Sequence, residues 1–379
     1  MLGTVNNLIG PALTTLQGQV DTSVRSISAL FAAQSLGYLV GSLAGGRGYD
    51  RSHGKRLFAG ALFVIAAALC LVPTISSLVV LCFAFTLLGL GAGAMDVGGN
   101  TLLVWERGAA AGPYLNALHL AFGVGALAVP VLINRSLAWR GDLRTACWTL
   151  AVLAVVAGLA VLHRDEPEPR RAHADVKRRT RPSRELALVA GFFVFAVGLE
   201  LGFAGWITTY AETIHLGGAN TASALTTVFW AAFTLSRLAS IGIARRVSAA
   251  SMVRGANLLA VAAAALLLIA RDAELPVFVA TALFGAAVAP QFPMMIAYAE
   301  QRITLTGIAT SWFVGAAALG AFALPWLIGQ LYDGVGARVM PAAVLLAAIA
   351  TTGWFVLIGR KVPPSSFGRQ SVSNVKSTR

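Results

Sequence analysis

Leu87 to Trp105 reads LLGLGAGAMDVGGNTLLVW. The stretch is apolar and rich in glycine, and it carries one carboxylate, Asp96, at its centre, with Asn100 four residues on. Positions i and i+4 of a helix share a face, so the spacing predicts that Asp96 and Asn100 point the same way. The apolar run around them is long enough to cross a bilayer, which takes about 20 residues. An ionised Asp at the middle of such a span costs about 2.5–3.5 kcal/mol on insertion scales. Carboxylates held at that depth mostly mark ion or substrate paths; the plainer reading is a hydrogen bond that ties two helices together.

The rest of the chain fits that beginning. Of 379 residues, 57% are hydrophobic and 12% charged, with a mean hydropathy of +0.74; soluble domains carry about 25% charge. The composition defines an all-α, polytopic membrane protein. The net charge of +13 would suit a nucleic-acid binder, but the basic residues fall in short loops and a tail, as the positive-inside rule expects. Cys70, Cys82 and Cys147 lie inside apolar segments and follow neither a disulfide framework nor a metal-binding spacing. Asn134-Arg135-Ser136 is a glycosylation sequon, of consequence only in a eukaryotic secretory pathway. Nucleotide-binding and hydrolytic motifs are not evident, so no enzyme and no cofactor is expected.

Spanning segments are expected near residues 2–16, 26–46, 57–73, 78–105, 113–137 and 145–163. After the polar linker 164–185 they resume near 187–213, 220–243, 252–270, 276–298, 305–331 and 339–359. The domain plan is thus a six-helix half over residues 1–163, a linker over 164–185, a second six-helix half over 186–360 and a tail over 361–379. The first segment is too short to span and already contains Asn6, Asn7 and Pro11. It reads as the second half of a helix, through a late start codon or a cut first helix. With the N-terminus inside, the inner loops collect Arg47, Arg51, Lys55, Arg56 and the basic linker, and the outer loops hold few basic residues. Both termini are therefore expected in the cytoplasm of a cell-membrane protein.

The halves repeat. Gly125-Ala-Leu-Ala-Val-Pro130-Val-Leu-Ile returns as Gly320-Ala-Phe-Ala-Leu-Pro325-Trp-Leu-Ile, 195 residues later. The loop Gly46-Arg-Gly-Tyr-Asp50-Arg51-Ser-His-Gly54-Lys55-Arg56 resembles the signature loop of the major facilitator superfamily, with one extra residue before Gly54. Parallel six-helix repeats are that superfamily's plan, so twelve transmembrane helices are expected, the first of them short. Asp50 can pair with Arg51 or cap a helix, which makes the pair a gate candidate.

Met95-Asp96-Val-Gly-Gly-Asn100, Leu115-Asn116-Ala-Leu-His119, Phe122-Gly-Val-Gly-Ala126, the Gly37-Tyr38-Leu39 run, Leu199-Glu200 through Trp206, Phe229-Trp230 and Gln291-Phe292-Pro293 together resemble the fucose permease group. They are more similar still to the sodium-dependent glucose transporter branch. The resemblance implies cation-coupled uptake of a monosaccharide by alternating access. It sets Asp96 on a fourth-helix carboxylate tied to proton coupling, His119 on a sugar-contacting position, and Asn6-Asn7 on an Asn pair of the first helix. The sequence departs at Gly10, where the permease carries a coupling Asp. Coupling is then expected at Asp96, Glu200 or both, with H⁺ or Na⁺ as the ion.

Read from their own chemistry, Glu200 lies deep in its segment, about 20 Å from its start at 1.5 Å per residue. Asn100, Asn116, His119 and Gln291 can hydrogen-bond sugar hydroxyls, and Trp206, Trp230 and Trp312 can stack on a sugar ring or simply pack. Arg237 sits toward the inner end of its segment and suits a gate or a snorkelling role. The expected partners are a small sugar and the bilayer, without nucleic acid, for a monomer. An efflux antiporter of the same fold and a non-transporting receptor or scaffold are the rival readings.

Overall fold

The computed structural model describes residues 1–49, 54–107, 111–164, 184–218, 220–270, 273–303 and 307–362; of residues 104, 105, 107, 111–116, 119 and 307–311 it describes the backbone alone. The described residues form helices joined by turns and short irregular stretches, with no strand among them. In chain order the helices are α1 Leu2–Asn6, α2 Ile9–Gln19, α3 Val24–Ile27, α4 Ala29–Tyr49, α5 Gly54–Leu71, α6 Leu78–Arg107, α7 Ala111–Arg140 and α8 Arg144–Leu162. Then come α9 Arg184–Thr213, α10 Thr221–Ile243, α11 Ala249–Ala270, α12 Glu274–Val288, α13 Gln291–Glu300, α14 Gly307–Val335 and α15 Val339–Lys361.

Eleven of these, with α3–α4 and α12–α13 each counted as one, are long and apolar enough to cross a membrane. The expected twelfth, the first segment, is not: it is the pair α1–α2. Pro11 explains the break between them. In the third position of α2 it has no N–H to give to Asn7, four residues back, and its ring crowds that carbonyl. Pro290 interrupts the tenth expected segment in the same way, ending α12 and preceding α13. The Ala286 carbonyl, which Pro290 leaves without a helical donor, accepts instead from Ser236 Oγ at 2.7 Å. Pro130 and Pro325, the repeated prolines, both lie inside uninterrupted long helices, α7 and α14. The linker expected to run to Glu185 ends sooner, because α9 starts at Arg184.

The chain forms two compact units. One comprises Met1–Lys177, Ala204–Ala231 and Pro325–Met340; the other comprises Arg178–Phe203, Ala232–Leu324 and Pro341–Arg379. Inside the first unit, α4 and α6 run close together on glycine. A Cβ at Gly37, Gly41, Gly89 or Gly93 would overlap a backbone carbonyl oxygen of the facing helix. Lipid tails are as apolar as leucine, so association in a bilayer rests on such close van der Waals packing of small residues. Lys55, at the start of α5, donates to the Arg164 carbonyl at 2.7 Å just beyond α8, placing a cation at a helix C-terminus where the dipole favours it.

The second unit is built on aromatic packing. Phe193 lies 4.8 Å from both Phe292 and Phe313, and Phe203 stacks on Phe284 at 4.4 Å. Trp354 Nε1 donates to the Leu188 carbonyl at 2.7 Å, and Arg302 lies 4.2 Å over the Tyr298 ring while donating to the Val362 carbonyl. Large apolar side chains such as Val79, Trp139, Ile269 and Leu275 are exposed, as a bilayer-facing surface requires.

Candidate ion and substrate site

The glycine seam between α4 and α6 brings Tyr38 to Asp96. Gly93 has no side chain, so the Tyr38 backbone can lie against it, and from there the Tyr38 hydroxyl donates to Asp96 Oδ2 at 2.5 Å. Asn100 Nδ2 donates to Asp96 Oδ1 at 3.2 Å and to the Asp96 carbonyl at 2.9 Å. Each carboxylate oxygen thus receives a donor, one from the neighbouring helix and one from the next turn of its own. Asp96, Tyr38 and Asn100 are all half-buried, so the carboxylate is held in place yet reachable. Such charge-assisted bonds are short and roughly twice as strong as neutral ones.

A second carboxylate, Glu200 on α9, is also half-buried. It lies within Coulombic reach of Arg237 on α10, whose guanidinium sits 4.7 Å over the Phe233 ring. Among the described residues the buried Nε of Arg237 has no hydrogen-bond partner. Arg237 therefore faces an acid and an aromatic ring, and does not snorkel outward.

Gln291, at the start of α13, is 1% exposed, and neither of its amide atoms has a partner among the described residues. The same holds for Asn257 on α11 and for the Thr281 hydroxyl on α12. Buried polar groups are nearly always hydrogen-bonded, so unpaired amides at this depth suit water or a hydroxylated ligand.

Of the other expected site residues, Asn7 and Trp206 have internal partners. Asn7 is buried and donates to the Gly3 carbonyl at 2.8 Å; Asn6 is half-buried at the end of α1. Trp206 is fully buried, gives its Nε1–H to the Pro325 carbonyl at 2.9 Å, stacks on Tyr332 at 5.1 Å and meets Phe31 at 6.0 Å. In this structure its ring is a packing element. Trp230 is likewise buried, edge-on to Phe122 and Phe229, whereas Trp312 is exposed. For Asn116 and His119 only the backbone on α7 is described, and Asp50 and Arg51 lie outside the described residues.

Gly10 has a structural explanation. A Cβ there would sit 2.5 Å from the Ala204 carbonyl oxygen and 3.1 Å from the Gly205 Cα, so α2 packs backbone to backbone on α9 and no acid fits. Sequence reading passed over Tyr38, Asn257 and Thr281 as site residues. Tyr38 stood in a quoted motif, but nothing in the sequence tied it to a carboxylate 58 positions away.

Among the described residues, eleven helices long and apolar enough to cross a membrane, with Asp96 and Glu200 half-buried inside two of them, are the build of a membrane transporter. The chain belongs to the Major Facilitator Superfamily, whose family model matches residues 1–325. It is 28% identical to the mouse (Mus musculus) sodium-dependent glucose transporter 1A, over 87% of both chains. It is 26% identical to the human (Homo sapiens) sodium-dependent glucose transporter 1, over 99% of this chain and 80% of that one. Among solved structures, the nucleoside transporter NupG superposes with a TM-score of 0.76 at 14% identity, over 95% of this chain and 97% of that chain. A bacterial homolog of the human lysosomal transporter Spinster, inward-facing and occupied, gives 0.73 at 11% identity, over 95% and 94%.

Proposed function

We propose that this chain is a secondary active transporter that takes up a monosaccharide together with a cation, Na⁺ or H⁺, by alternating access. The observation that carries the reading is the carboxylate of Asp96, inside a spanning helix and held by Tyr38 and Asn100. A carboxyl group is far cheaper to bury neutral than ionised, so charge compensation by a cation favours closure of the protein around it. Glu200, beside Arg237, is the second candidate for coupling. Asn100, Asn116, His119 and Gln291 are the candidate sugar ligands, and Asp50, Arg51 and Arg237 the candidate gate. The two halves 1–163 and 186–360 move against each other, with both termini in the cytoplasm.

The similarity to sodium-dependent glucose transporters over most of the chain supports this reading, and neither the efflux nor the receptor reading is favoured by any relative named above. Uptake of a radiolabelled hexose panel into proteoliposomes, with Na⁺ and pH gradients imposed separately, tests it. At least one hexose should accumulate above equilibrium under one gradient. Equilibration without accumulation for every hexose under both gradients refutes coupling.

A further inference from the structure

The first compact unit draws on both sequence halves: with Met1–Lys177 it takes in Ala204–Ala231 and Pro325–Met340. Those two stretches carry the end of α9 away from the linker, the start of α10, and the end of α14 that Tyr332 ties to Thr209 and Thr213. The bonds that join them to the first half are polar. Gln330 on α14 spends its whole amide on the α3–α4 segment. Its Oε1 accepts from Arg25 Nε at 2.9 Å, and its Nε2 donates to the Arg25 carbonyl and to Ser28 Oγ, each at 3.2 Å. One turn on, Asp333 Oδ2 accepts the Arg25 backbone N–H at 3.1 Å, a donor that the first turn of α3 leaves without an acceptor of its own helix. The side chain, N–H and carbonyl of Arg25 are thus all held by α14. Beside them, Thr14 on α2 donates to Glu212 Oε2 on α9 at 2.5 Å, and Asn134 on α7 donates to Asn220 Oδ1, just before α10, at 3.2 Å.

We propose that Gln330 and Asp333 are the catch of a latch that fastens α14 to the α3–α4 segment, closes the protein at this end, and opens once in each transport cycle. The inference rests on the reading of the chain as an alternating-access transporter and names the groups that hold one of its closed states. Thr14, Arg25, Glu212 and Asp333 are exposed and Gln330 is half-buried, so water reaches the bonds. When such a contact parts, water replaces each partner, and the net cost of opening stays small. That suits a contact made and broken repeatedly. The seam between α4 and α6, by contrast, sets backbone against backbone. Gly329 lets the latch close. A Cβ there would lie 2.2 Å from Ser28 Cβ and 2.5 Å from Ser28 Oγ, so the missing side chain is what brings the neighbouring Gln330 within reach of Arg25 and Ser28. Because Gln330 alone makes three of these bonds, one substitution there weakens the latch most.

Pulsed electron–electron distance measurement on the full-length protein in lipid nanodiscs tests the latch without sugar or ion. Spin labels go on Gly18→Cys of α2 and Gly334→Cys of α14, where an added Cβ meets nothing within 4 Å, with Cys70, Cys82 and Cys147 replaced by alanine. With the latch intact, one short distance should dominate. Gln330→Met, which keeps the length of the side chain and removes its amide, and Asp333→Ala should each raise the ratio of long to short distances about tenfold, the equivalent of about 1.4 kcal/mol. Thr14→Val, which loses only the bond to Glu212, should shift the ratio in the same direction. Tyr332→Phe loses bonds made between α14 and α9 alone and should leave the ratio unchanged. An unchanged ratio in Gln330→Met, Asp333→Ala and Thr14→Val overturns the latch, and so does an equal shift in Tyr332→Phe, which marks general loosening. A shifted ratio in a protein that accumulates no hexose under either gradient keeps the latch and removes the sugar reading.

Discussion

Gly93→Ala is the sharpest perturbation of the seam that holds Asp96. The added Cβ would overlap the Tyr38 carbonyl oxygen and lie 2.8 Å from both Ser42 N and Ser42 Oγ. Ordinary heavy-atom contact lies at about 3.5 Å, and the Tyr38 carbonyl oxygen is the nearest obstacle, so α4 must retreat by about 1.4 Å. The Tyr38 to Asp96 bond, 2.5 Å long, then stretches to about 3.9 Å, beyond useful hydrogen bonding. Overpacking of this kind costs about 1–3 kcal/mol. Gly99→Ala on the same helix is the matched control, because its Cβ would meet nothing nearer than Leu118 Cδ2 at 3.5 Å. Both substitutions gain the same helix propensity, about 1 kcal/mol, so the difference between them isolates the packing term. In detergent, Gly93→Ala should melt several degrees below Gly99→Ala, and its gradient-driven uptake should fall where that of Gly99→Ala stays near wild type. Equal melting temperatures and equal gradient-driven uptake in the two variants refute the claim that the α4–α6 approach sets the geometry at Asp96.

Asp96→Asn keeps the size of the side chain and removes its charge; it should lose gradient-driven accumulation while retaining sugar counterflow, and full concentrative uptake by this variant, by Glu200→Gln and by the double variant would remove both carboxylates from coupling. Gly10→Asp restores the acid of the fucose permease pattern but forces a side chain into the contact with Ala204 and Gly205. It should lower folded yield and confer no second coupling step, and a well-folded Gly10→Asp protein would contradict the packing account. Cysteine labelling should find residues of the 164–185 linker reactive from the cytoplasmic side and residues of the 138–144 loop reactive from outside, and the reverse pattern would overturn the proposed orientation.

The sequence by itself determined what is local or bulk in this protein. Hydropathy and length located the spanning helices, because the cost of exposing apolar surface to water, or backbone to lipid, acts on each segment separately. The shared face of Asp96 and Asn100 follows from the helical period and needs no neighbour. The repeated Pro130 and Pro325 announced two corresponding helices. Which helix faces meet was decided only by the tertiary structure. In a soluble protein an apolar stripe marks the buried side, but here lipid and core are equally apolar, so the pattern does not say where a helix packs. Tyr38 could not be tied to Asp96 until α4 and α6 were laid together on glycine. Gly10 looked like a missing coupling acid and is a packing position, because α9 lies against it. Trp206 looked like a surface for a sugar ring, and its ring and N–H are taken up by Phe31, Tyr332 and the Pro325 carbonyl. Gln291 was visible as an amide at depth, but its unpaired state, and those of Asn257 and Thr281, depend on what surrounds them in three dimensions.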